Sequence, residues 1–227
     1  MTERIIPALY NGNVRVAMPD IHDVISRLEQ KYPHAKYELD WGNPYQLLVA
    51  TILAAQATDE RVNKVTPVLF GKWPTPQAMV TADQAELEQV LTPTGFFRRK
   101  AKAVKETSQG LIDLFGGEVP KTVDELVQLR GVARKTANVV LNTAFDIPSG
   151  IIVDTHVARV SRRLGLTELA DPDDIEGDLM KLVPKERWTF FGPAMVLLGR
   201  YVCTSREAKC SDCVMSDVCP KRFLDKE

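Results

Sequence analysis

Four cysteines near the C-terminus have the spacing expected of ligands to one metal centre. They are the only cysteines of the chain, and they form the pattern C-x6-C-x2-C-x5-C at Cys203, Cys210, Cys213 and Cys219. A secreted disulfide framework usually spreads its cysteines along the chain, whereas these lie together. Four thiolates can close a tetrahedral zinc site or hold an iron–sulfur cluster. The spacing matches neither common ferredoxin pattern, and from the residues alone it slightly favours zinc.

A glycine turn between two predicted helices could bring the backbone close to an anion. One helix is predicted over residues 122–128 and the next over 135–145, with Gly131 in the link. Glycine permits a sharp turn and a close approach to phosphate. The free N–H groups and positive dipole of a helix N-terminus favour an anion. Such a contact to the DNA backbone carries no base preference, and an ordinary pair of helices has the same pattern.

Two charged residues at predicted helix starts could carry chemistry. A neutral lysine amine at Lys135 can attack the C1′ carbon of a sugar and form a Schiff base. The helix N-terminus disfavours its charged form by about 0.3–1 kcal/mol. A charged Lys135 would only bind phosphate, and Asp154 before the next helix would only cap it. From the residues alone, these simpler roles are preferred.

Three segments together resemble the endonuclease III family of helix–hairpin–helix DNA glycosylases. They are Leu-Arg-Gly-Val-Ala-Arg-Lys-Thr-Ala-Asn-Val-Val-Leu over residues 129–141, Val-Asp-Thr-His over 153–156, and the four-cysteine pattern. Residues 53–59 also match the segment before the family's third helix, and the likeness covers residues 20–220. It implies base excision repair of double-stranded DNA. Such an enzyme removes oxidised pyrimidines and cleaves abasic sites.

The resemblance also implies a role for each matching residue. Lys135 is the expected nucleophile, which displaces the damaged base before β-elimination nicks the strand. Asp154 is expected to assist proton movement and to stabilise positive charge on the sugar. The resemblance assigns Cys203, Cys210, Cys213 and Cys219 to a [4Fe–4S] cluster, with zinc as the lesser alternative. No diffusible cofactor is expected.

The chemistry requires the target base to leave the helical stack, so other residues must fill the gap. By position in the family these are Gln56 and the Gly95–Phe96 loop, with Phe96 or Phe97 as an apolar wedge. Core packing is the alternative for Phe96. Further DNA contacts are expected from the hairpin and from the loop between the first two cysteines, at Arg130, Gly131, Ala133, Arg134, Arg206 and Lys209.

The hairpin departs from the family pattern Leu-Pro-Gly-Val-Gly, because this chain has Arg130 and Ala133. If the turn needs a positive φ at residue 133, alanine costs on the order of 1 kcal/mol there. Its methyl group would also hold a phosphate away, although Arg130 could restore affinity. These departures predict weaker or slower DNA processing. They leave open a DNA-binding paralogue with impaired catalysis, and a redox- or metal-sensing DNA binder is a further alternative. A monofunctional adenine-removing relative is disfavoured, since it would lack the lysine.

Hydrophobic periodicity predicts an all-α fold to position these residues. The first helix begins at Pro19 or Asp20, the second follows Pro44, and the third begins at Thr58 and is bent or ended by Pro67. Further helices are predicted over residues 82–91, 97–115, 122–128, 135–145, 155–164, 172–182 and 186–202. The strand-like run 151–153 is too short for a sheet.

The resemblance arranges the helices in two helical domains. A helical barrel covers residues 37–147 and contains the hairpin, and residues 1–36 plus 148–227 form the cluster domain. The DNA cleft lies between them, with Lys135 on one wall and Asp154 on the other.

Composition is that of a globular protein large enough for one or two cores. The 227 residues are 44% hydrophobic and 26% charged, and 29 basic against 30 acidic residues leave a net charge of −1. Total charge therefore gives no indication of a nucleic-acid partner. Basic residues are concentrated at 98–105, 130–135 and 159–163, which allows one basic face, although each run is also typical of a solvated helix.

The sequence also bears on location and assembly. The N-terminus lacks the apolar run of a signal peptide, and no segment is apolar enough to span a membrane. We therefore expect a cytoplasmic, nucleoid-associated monomer.

Overall fold

The computed structural model describes residues 18–223, which form eleven α-helices, three short 3-10 turns and no strand. The all-α prediction is confirmed. The helices are α1 Ile21–Lys31, α2 Pro44–Leu53, α3 Asp59–Lys72, α4 Pro76–Val80, α5 Gln84–Leu91, α6 Phe97–Phe115, α7 Val123–Leu126, α8 Arg134–Ala144, α9 Thr155–Arg163, α10 Pro172–Leu182 and α11 Trp188–Tyr201. The 3-10 turns are Thr92–Thr94, Lys185–Arg187 and Cys210–Asp212. Residues 1–17 and 224–227 lie outside the described residues. They include the N-terminal segment for which no signal peptide is predicted and both ends of the predicted cluster domain.

Side-chain caps determine where most helices begin. Asn43 accepts a hydrogen bond from the Gln46 N–H at the start of α2, where Pro44 occupies the first helical position. Thr58 caps α3 in the same way, through the N–H of Arg61. These local signals explain why the predicted helix starts agree closely with the observed ones.

Two expectations about proline differ from the structure. Pro67 does not end α3, which continues to Lys72. The residues flanking it on the inner face, Val65 and Leu69, are buried, and this packing retains the helix despite the missing N–H group. No helix was predicted around Pro74 and Pro76, but Thr75 caps the short helix α4 there.

Buried side chains form two separate hydrophobic clusters. One contains residues from α2 to α8, between Leu39 and Leu141. The other combines Val24, Ile25 and Leu28 of α1 with residues between Ile151 and Met215. The strand-like run 151–153 is an extended buried segment that leads from α8 towards α9 and pairs with no strand in the described chain. None of the helices within residues 18–223 combines the length and the apolar character needed to cross a membrane.

Candidate functional site

The hairpin between α7 and α8 makes its sharp turn at Gly131. Its φ of +86° lies in the region that favours glycine. Ala133 is the N-cap residue of α8 and has φ −87° and ψ 166°, an extended conformation open to any residue. The expectation of backbone strain at Ala133 is therefore wrong, because the positive φ falls two residues earlier.

The first turn of α8 presents donors and positive charge to solvent. Ala133 has no side chain that could cap the helix, and Gly131, Ala133, Arg134 and Lys135 are all exposed. The first N–H groups of a helix have no acceptor within it, so this end favours an anion. The Nε atom of Arg130 lies 3.0 Å from Glu106, and that of Arg134 lies 3.3 Å from Glu176. Two of the predicted DNA contacts thus have carboxylate partners in the free protein.

Asp154 caps α9 with one oxygen of its carboxylate. Its Oδ1 atom accepts hydrogen bonds of 2.8 Å from the N–H groups of His156 and Val157. Within the described residues, Oδ2 has no hydrogen-bond partner. The capping role inferred from the sequence is therefore present, and it leaves the second oxygen for another partner.

Lys135 and Asp154 line the same cleft, which has a volume of about 400 Å³. Lys135 comes from the first turn of α8 and Asp154 from the start of α9. The cleft is also lined by Asn138, Ile151, Ile152, Val153, Thr155, Ala158, Ala170, Pro172, Asp173 and Glu176. A solvent-exposed amine and a carboxylate thus face a common space whose lining is half apolar and half polar or charged.

A buried polar network supports the wall of this cleft. Glu176 of α10 is only 6% exposed, and it accepts a 2.9 Å hydrogen bond from the Asn138 amide of α8. The Ser149 hydroxyl donates to the Asn138 carbonyl oxygen at 2.9 Å. A Cβ atom at Gly150 would lie 2.0 Å from Glu176, so only glycine fits there. Glu176 was not predicted as a site residue, because it lies in an acidic run typical of a solvated helix face. Its position one helical turn before the buried Leu179 is the signal that places it on the inner face of α10.

A second group of ionisable residues surrounds Asp154. Burial raises the pKa of Asp59, the Asp154 carboxylate raises it further, and charge on His156 lowers it. Burial also raises the pKa of Tyr37 well above its usual value, again with a contribution from Asp154. The Arg200 guanidinium of α11 lies 3.1 Å from Asp59. None of Tyr37, Asp59 and Arg200 was singled out from the sequence as a site residue, because only tertiary contacts bring them to Asp154.

Gln56 and Phe96 line a different cavity of about 270 Å³, together with Gly131 of the hairpin. Gln56 has φ +54° and Phe96 has φ +47°, a conformation that is costly for residues other than glycine. Phe96 is 58% exposed, so the alternative of core packing is wrong for it. Phe97 is partly buried against the first hydrophobic cluster. The structure thus brings together three of the predicted DNA-contact residues.

The four cysteines are free thiols that line one cavity. The N–H groups of Met215 and Lys221 point at the sulfurs of Cys213 and Cys219, at 3.5 and 3.4 Å. Burial raises the pKa of the Cys219 thiol to about 11. Within residues 18–223, no three His, Cys, Asp or Glu side chains converge on a site for a single metal ion. All four cysteine side chains therefore border one space.

The loop between Cys203 and Cys210 carries the remaining predicted DNA contacts. Arg206 and Lys209 are both exposed there. Lys209 lines the cysteine cavity, and neither residue lines the cleft of Lys135 or the cavity of Gln56. The predicted DNA-contact residues thus do not all line one cavity.

The chain is similar in sequence to known base excision DNA repair proteins. Residues 49–185 match the family model of the HhH-GPD superfamily base excision DNA repair protein. Endonuclease III of Synechocystis sp. is 50% identical over 198 residues, which are 87% of this chain and 90% of that protein. Endonuclease III of Escherichia coli K12 is 38% identical over 197 residues, which are 87% of this chain and 93% of that protein.

Solved structures agree with this relationship. A trapped covalent intermediate of endonuclease III with DNA, an estranged-adenine complex, matches with a TM-score of 0.84 and 42% identity, over 88% of this chain and 94% of that one. A thermostable thymine-DNA glycosylase matches with a TM-score of 0.78 over 90% of this chain and 96% of that one, and at 22% identity it shows the fold alone. The resemblance predicted from the sequence is thereby confirmed. The chain belongs to the endonuclease III family, within the HhH-GPD superfamily of base excision DNA repair proteins.

Proposed function

We propose that this chain is a bifunctional DNA glycosylase and AP lyase, which removes oxidised pyrimidines from double-stranded DNA and cleaves abasic sites. The observation that carries the proposal is the shared cleft of Lys135 and Asp154, in a chain of the endonuclease III family. A nucleophilic amine and a carboxylate on one cleft are the groups that this chemistry needs. Such an enzyme meets its substrate at the chromosome, so we expect it at the nucleoid, as a monomer.

DNA binding in this proposal begins at the hairpin. The free N–H groups at the start of α8 and the exposed Arg134 would bind the phosphates beside the lesion. The two hydrophobic clusters support a division into a barrel domain, residues 37–147, and a cluster domain, residues 1–36 plus 148–227. DNA would lie in the cleft between them, since Lys135 and Asp154 come from the two sides of this division.

Lys135 acts as the nucleophile in the proposed reaction. Its neutral amine attacks C1′ of the damaged nucleotide, and the bond from C1′ to the base breaks. The base leaves with the electron pair and takes up the proton that the nitrogen loses. Protonation of the ring oxygen opens the sugar to an iminium. Loss of a proton from C2′ then breaks the bond from C3′ to its phosphate, which cuts the strand.

Asp154 assists this reaction with the oxygen that is not engaged in capping. Its Oδ2 atom can stabilise positive charge on the sugar or accept a proton, while Oδ1 is held by two N–H groups. The two bonds to Oδ1 fix the orientation of the carboxylate. The base must leave the stack for this step, and Gln56 and Phe96 would fill the gap that it leaves.

The four cysteines would hold a [4Fe–4S] cluster, as membership of the endonuclease III family implies. Their side chains line one cavity, and four cysteine thiolates are the ligand set of such a cluster. The two N–H groups directed at Cys213 and Cys219 are also of the kind that stabilise cluster sulfurs. With a cluster bound, Cys203 and Cys210 would fix both ends of the loop 204–209 as its ligands. Arg206 and Lys209 would thereby be held in place for contact with DNA.

Borohydride trapping tests the proposed function. The wild-type protein and Lys135→Ala are incubated with duplexes that contain thymine glycol or an abasic site, and a reduced protein–DNA adduct is measured by gel electrophoresis. We expect the adduct and strand cleavage for the wild type and neither for Lys135→Ala. Lys121→Ala is the matched control, because Lys121 is also exposed in the described structure but lies outside the cleft. DNA binding by the wild type without trapping or cleavage would contradict the proposal and favour a catalytically impaired binder.

A further inference from the structure

Lys100, in the first turn of α6, is a buried lysine that the proposed reaction does not use. Lys100 is only 5% exposed, and burial lowers the pKa of its side-chain amine. Lysine is almost never buried to this extent unless its charge is compensated. The Nζ atom donates a 2.7 Å hydrogen bond to the main-chain oxygen of Thr94, and no carboxylate in the described residues pairs with it. A buried lysine bound only to a main-chain oxygen is unusual, and its position indicates what it does.

The oxygen that Lys100 binds lies at the base of the loop that carries Phe96. Thr94 is 1% exposed, and Gly95 and Phe96 follow it with φ values of +68° and +47°. The main-chain N–H of Lys100 also donates to the Phe96 oxygen, at 3.1 Å. Lys100 therefore holds the chain on both sides of Gly95, once with its side chain and once with its backbone.

Phe96 needs such support because its conformation is unfavourable. It is the N-cap residue of α6, and it makes no side-chain cap there. A residue other than glycine in the left-handed region is retained only when its surroundings determine the conformation. Lys100 also lines the cavity that Phe96, Gln56 and Gly131 share. The buried ammonium is thus in a position to stabilise this loop before DNA arrives.

We propose that Lys100 is a positioning residue, which holds the Thr94–Phe96 loop so that Phe96 is ready to enter the DNA gap. The inference rests on the proposed function, in which Phe96 occupies the gap left by the flipped nucleotide. A loop that is ordered in advance loses less entropy on binding than one that becomes ordered in the complex. Loss of the bond to Thr94 should therefore weaken insertion of Phe96 without touching the reacting atoms.

The test measures insertion directly. Duplexes carry a non-cleavable tetrahydrofuran abasic analogue opposite 2-aminopurine, whose fluorescence rises when it is unstacked. Wild type, Phe96→Ala, Lys100→Met and the double variant are compared at saturating protein, and single-turnover cleavage of a natural abasic site is followed in parallel. Lys105→Met is the matched control, because Lys105 also donates to a main-chain oxygen from α6, that of Ala82 at 2.7 Å, but does not line this cavity.

We expect Lys100→Met to lower the fluorescence rise and the cleavage rate about tenfold, on the scale of one lost hydrogen bond from a charged group. Lys105→Met should change neither. Lys100→Arg retains a cationic donor and should recover most of the fluorescence rise. The double variant should be no worse than Phe96→Ala, because Lys100 acts through Phe96.

Each other outcome overturns the inference in a distinguishable way. If Phe96→Ala loses the signal but Lys100→Met does not, Lys100 has no positioning role while the gap-filling role of Phe96 stands. If the two effects multiply in the double variant, Lys100 acts by another route. If Phe96→Ala keeps the signal, the gap-filling role fails together with the inference, although trapping at Lys135 is unaffected. Should Lys100→Met not fold, as judged by thermal unfolding, Lys100→Gln gives the same readout, since its shorter side chain cannot reach Thr94.

Discussion

The cleft of Lys135 and Asp154 and the cavity of Gln56 and Phe96 are built in different ways. In the cleft, Ala133 and Asp154, the cap residues of the two helices, have ordinary negative φ values of −87° and −103°. In the cavity, Gln56 lies in the short segment between α2 and α3, and Phe96 directly precedes α6. Both have positive φ values. The reacting groups thus lie at helix starts with ordinary backbone conformations, whereas the residues proposed to enter DNA have strained ones.

This contrast has a consequence for how each region tolerates change. Positions at helix ends are supported by main-chain hydrogen bonds and by the buried Glu176 network, so a substituted side chain leaves the backbone in place. The strained loop depends in part on a side-chain contact, that from Lys100 to Thr94. We therefore expect cleft substitutions that keep these hydrogen bonds to change the chemistry and little else, and substitutions near the cavity to change the loop geometry.

Asp154→Asn gives the largest expected effect and sharpens this distinction. Asparagine caps a helix as well as aspartate does, so the thermal unfolding midpoint should change little. Without the charge, single-turnover base excision should fall about 10²- to 10⁴-fold. Asp154→Ala should lose the same rate and also about 1 kcal/mol of stability, because it removes the cap. A full rate for Asp154→Asn would show that Asp154 only caps α9.

Phe96→Ala gives the next largest effect. Without an apolar side chain to occupy the gap, excision of a paired lesion should fall about tenfold or more, since unstacking costs a few kcal/mol. The loss should be smaller for a lesion in a mismatch, where the base is already poorly stacked. Phe97→Leu is the control, because Phe97 packs against the first hydrophobic cluster. Equal losses for both variants would point to a packing defect.

Glu176→Gln tests the support of the cleft. The amide can still accept from Asn138, but the ion pair with Arg134 is lost. Because Arg134 is half exposed, this pair contributes little to stability, and we expect a change below about 1 kcal/mol in chemical denaturation. Glu176→Ala leaves Asn138 without its acceptor in a buried site, which should cost about 1–3 kcal/mol. If both variants lose the same free energy of unfolding, the hydrogen bond from Asn138 does not contribute to stability.

Ala133→Gly gives the smallest expected effect. The sequence predicted a gain in DNA affinity from glycine, but residue 133 has an unstrained negative φ. Glycine is a better N-cap residue than alanine, but it also costs about 0.4–1 kcal/mol of backbone entropy on folding. These two contributions to the free energy of unfolding nearly cancel, so the hairpin should keep its structure. We expect a change below about twofold in affinity for abasic DNA, measured by fluorescence anisotropy. A large gain would mean that the alanine methyl group obstructs the phosphate.

Local signals account for most of what the sequence predicted about the fold. Caps such as Asn43 and Thr58 and the spacing of apolar residues act within a few residues, so helix positions follow from them. Pro67 was misjudged because burial on both sides retains α3, and the φ of Ala133 was misjudged because Gly131 alone makes the turn. These differences come from tertiary context, which local patterns do not contain.

Site residues could be predicted from the sequence only where they belong to a motif of the family. Lys135 and Asp154 were found through resemblance, since their residue types alone favoured phosphate binding and capping. Glu176 and Lys100 were not, because a buried charged residue has the same sequence appearance as a solvated one. Their roles depend on contacts with Asn138 and Thr94, which only the folded chain supplies.

Asp154 both caps α9 and faces the cleft, and this limits which residues can replace it as the family diverges. One oxygen stabilises the start of α9 while the other faces the cleft, so selection for folding and selection for chemistry act on the same side chain. A descendant that no longer needs the reaction would still need a cap. Drift at this position should therefore run to asparagine, serine or threonine, and an aliphatic residue there would mark a gene that has lost the constraint to fold as well.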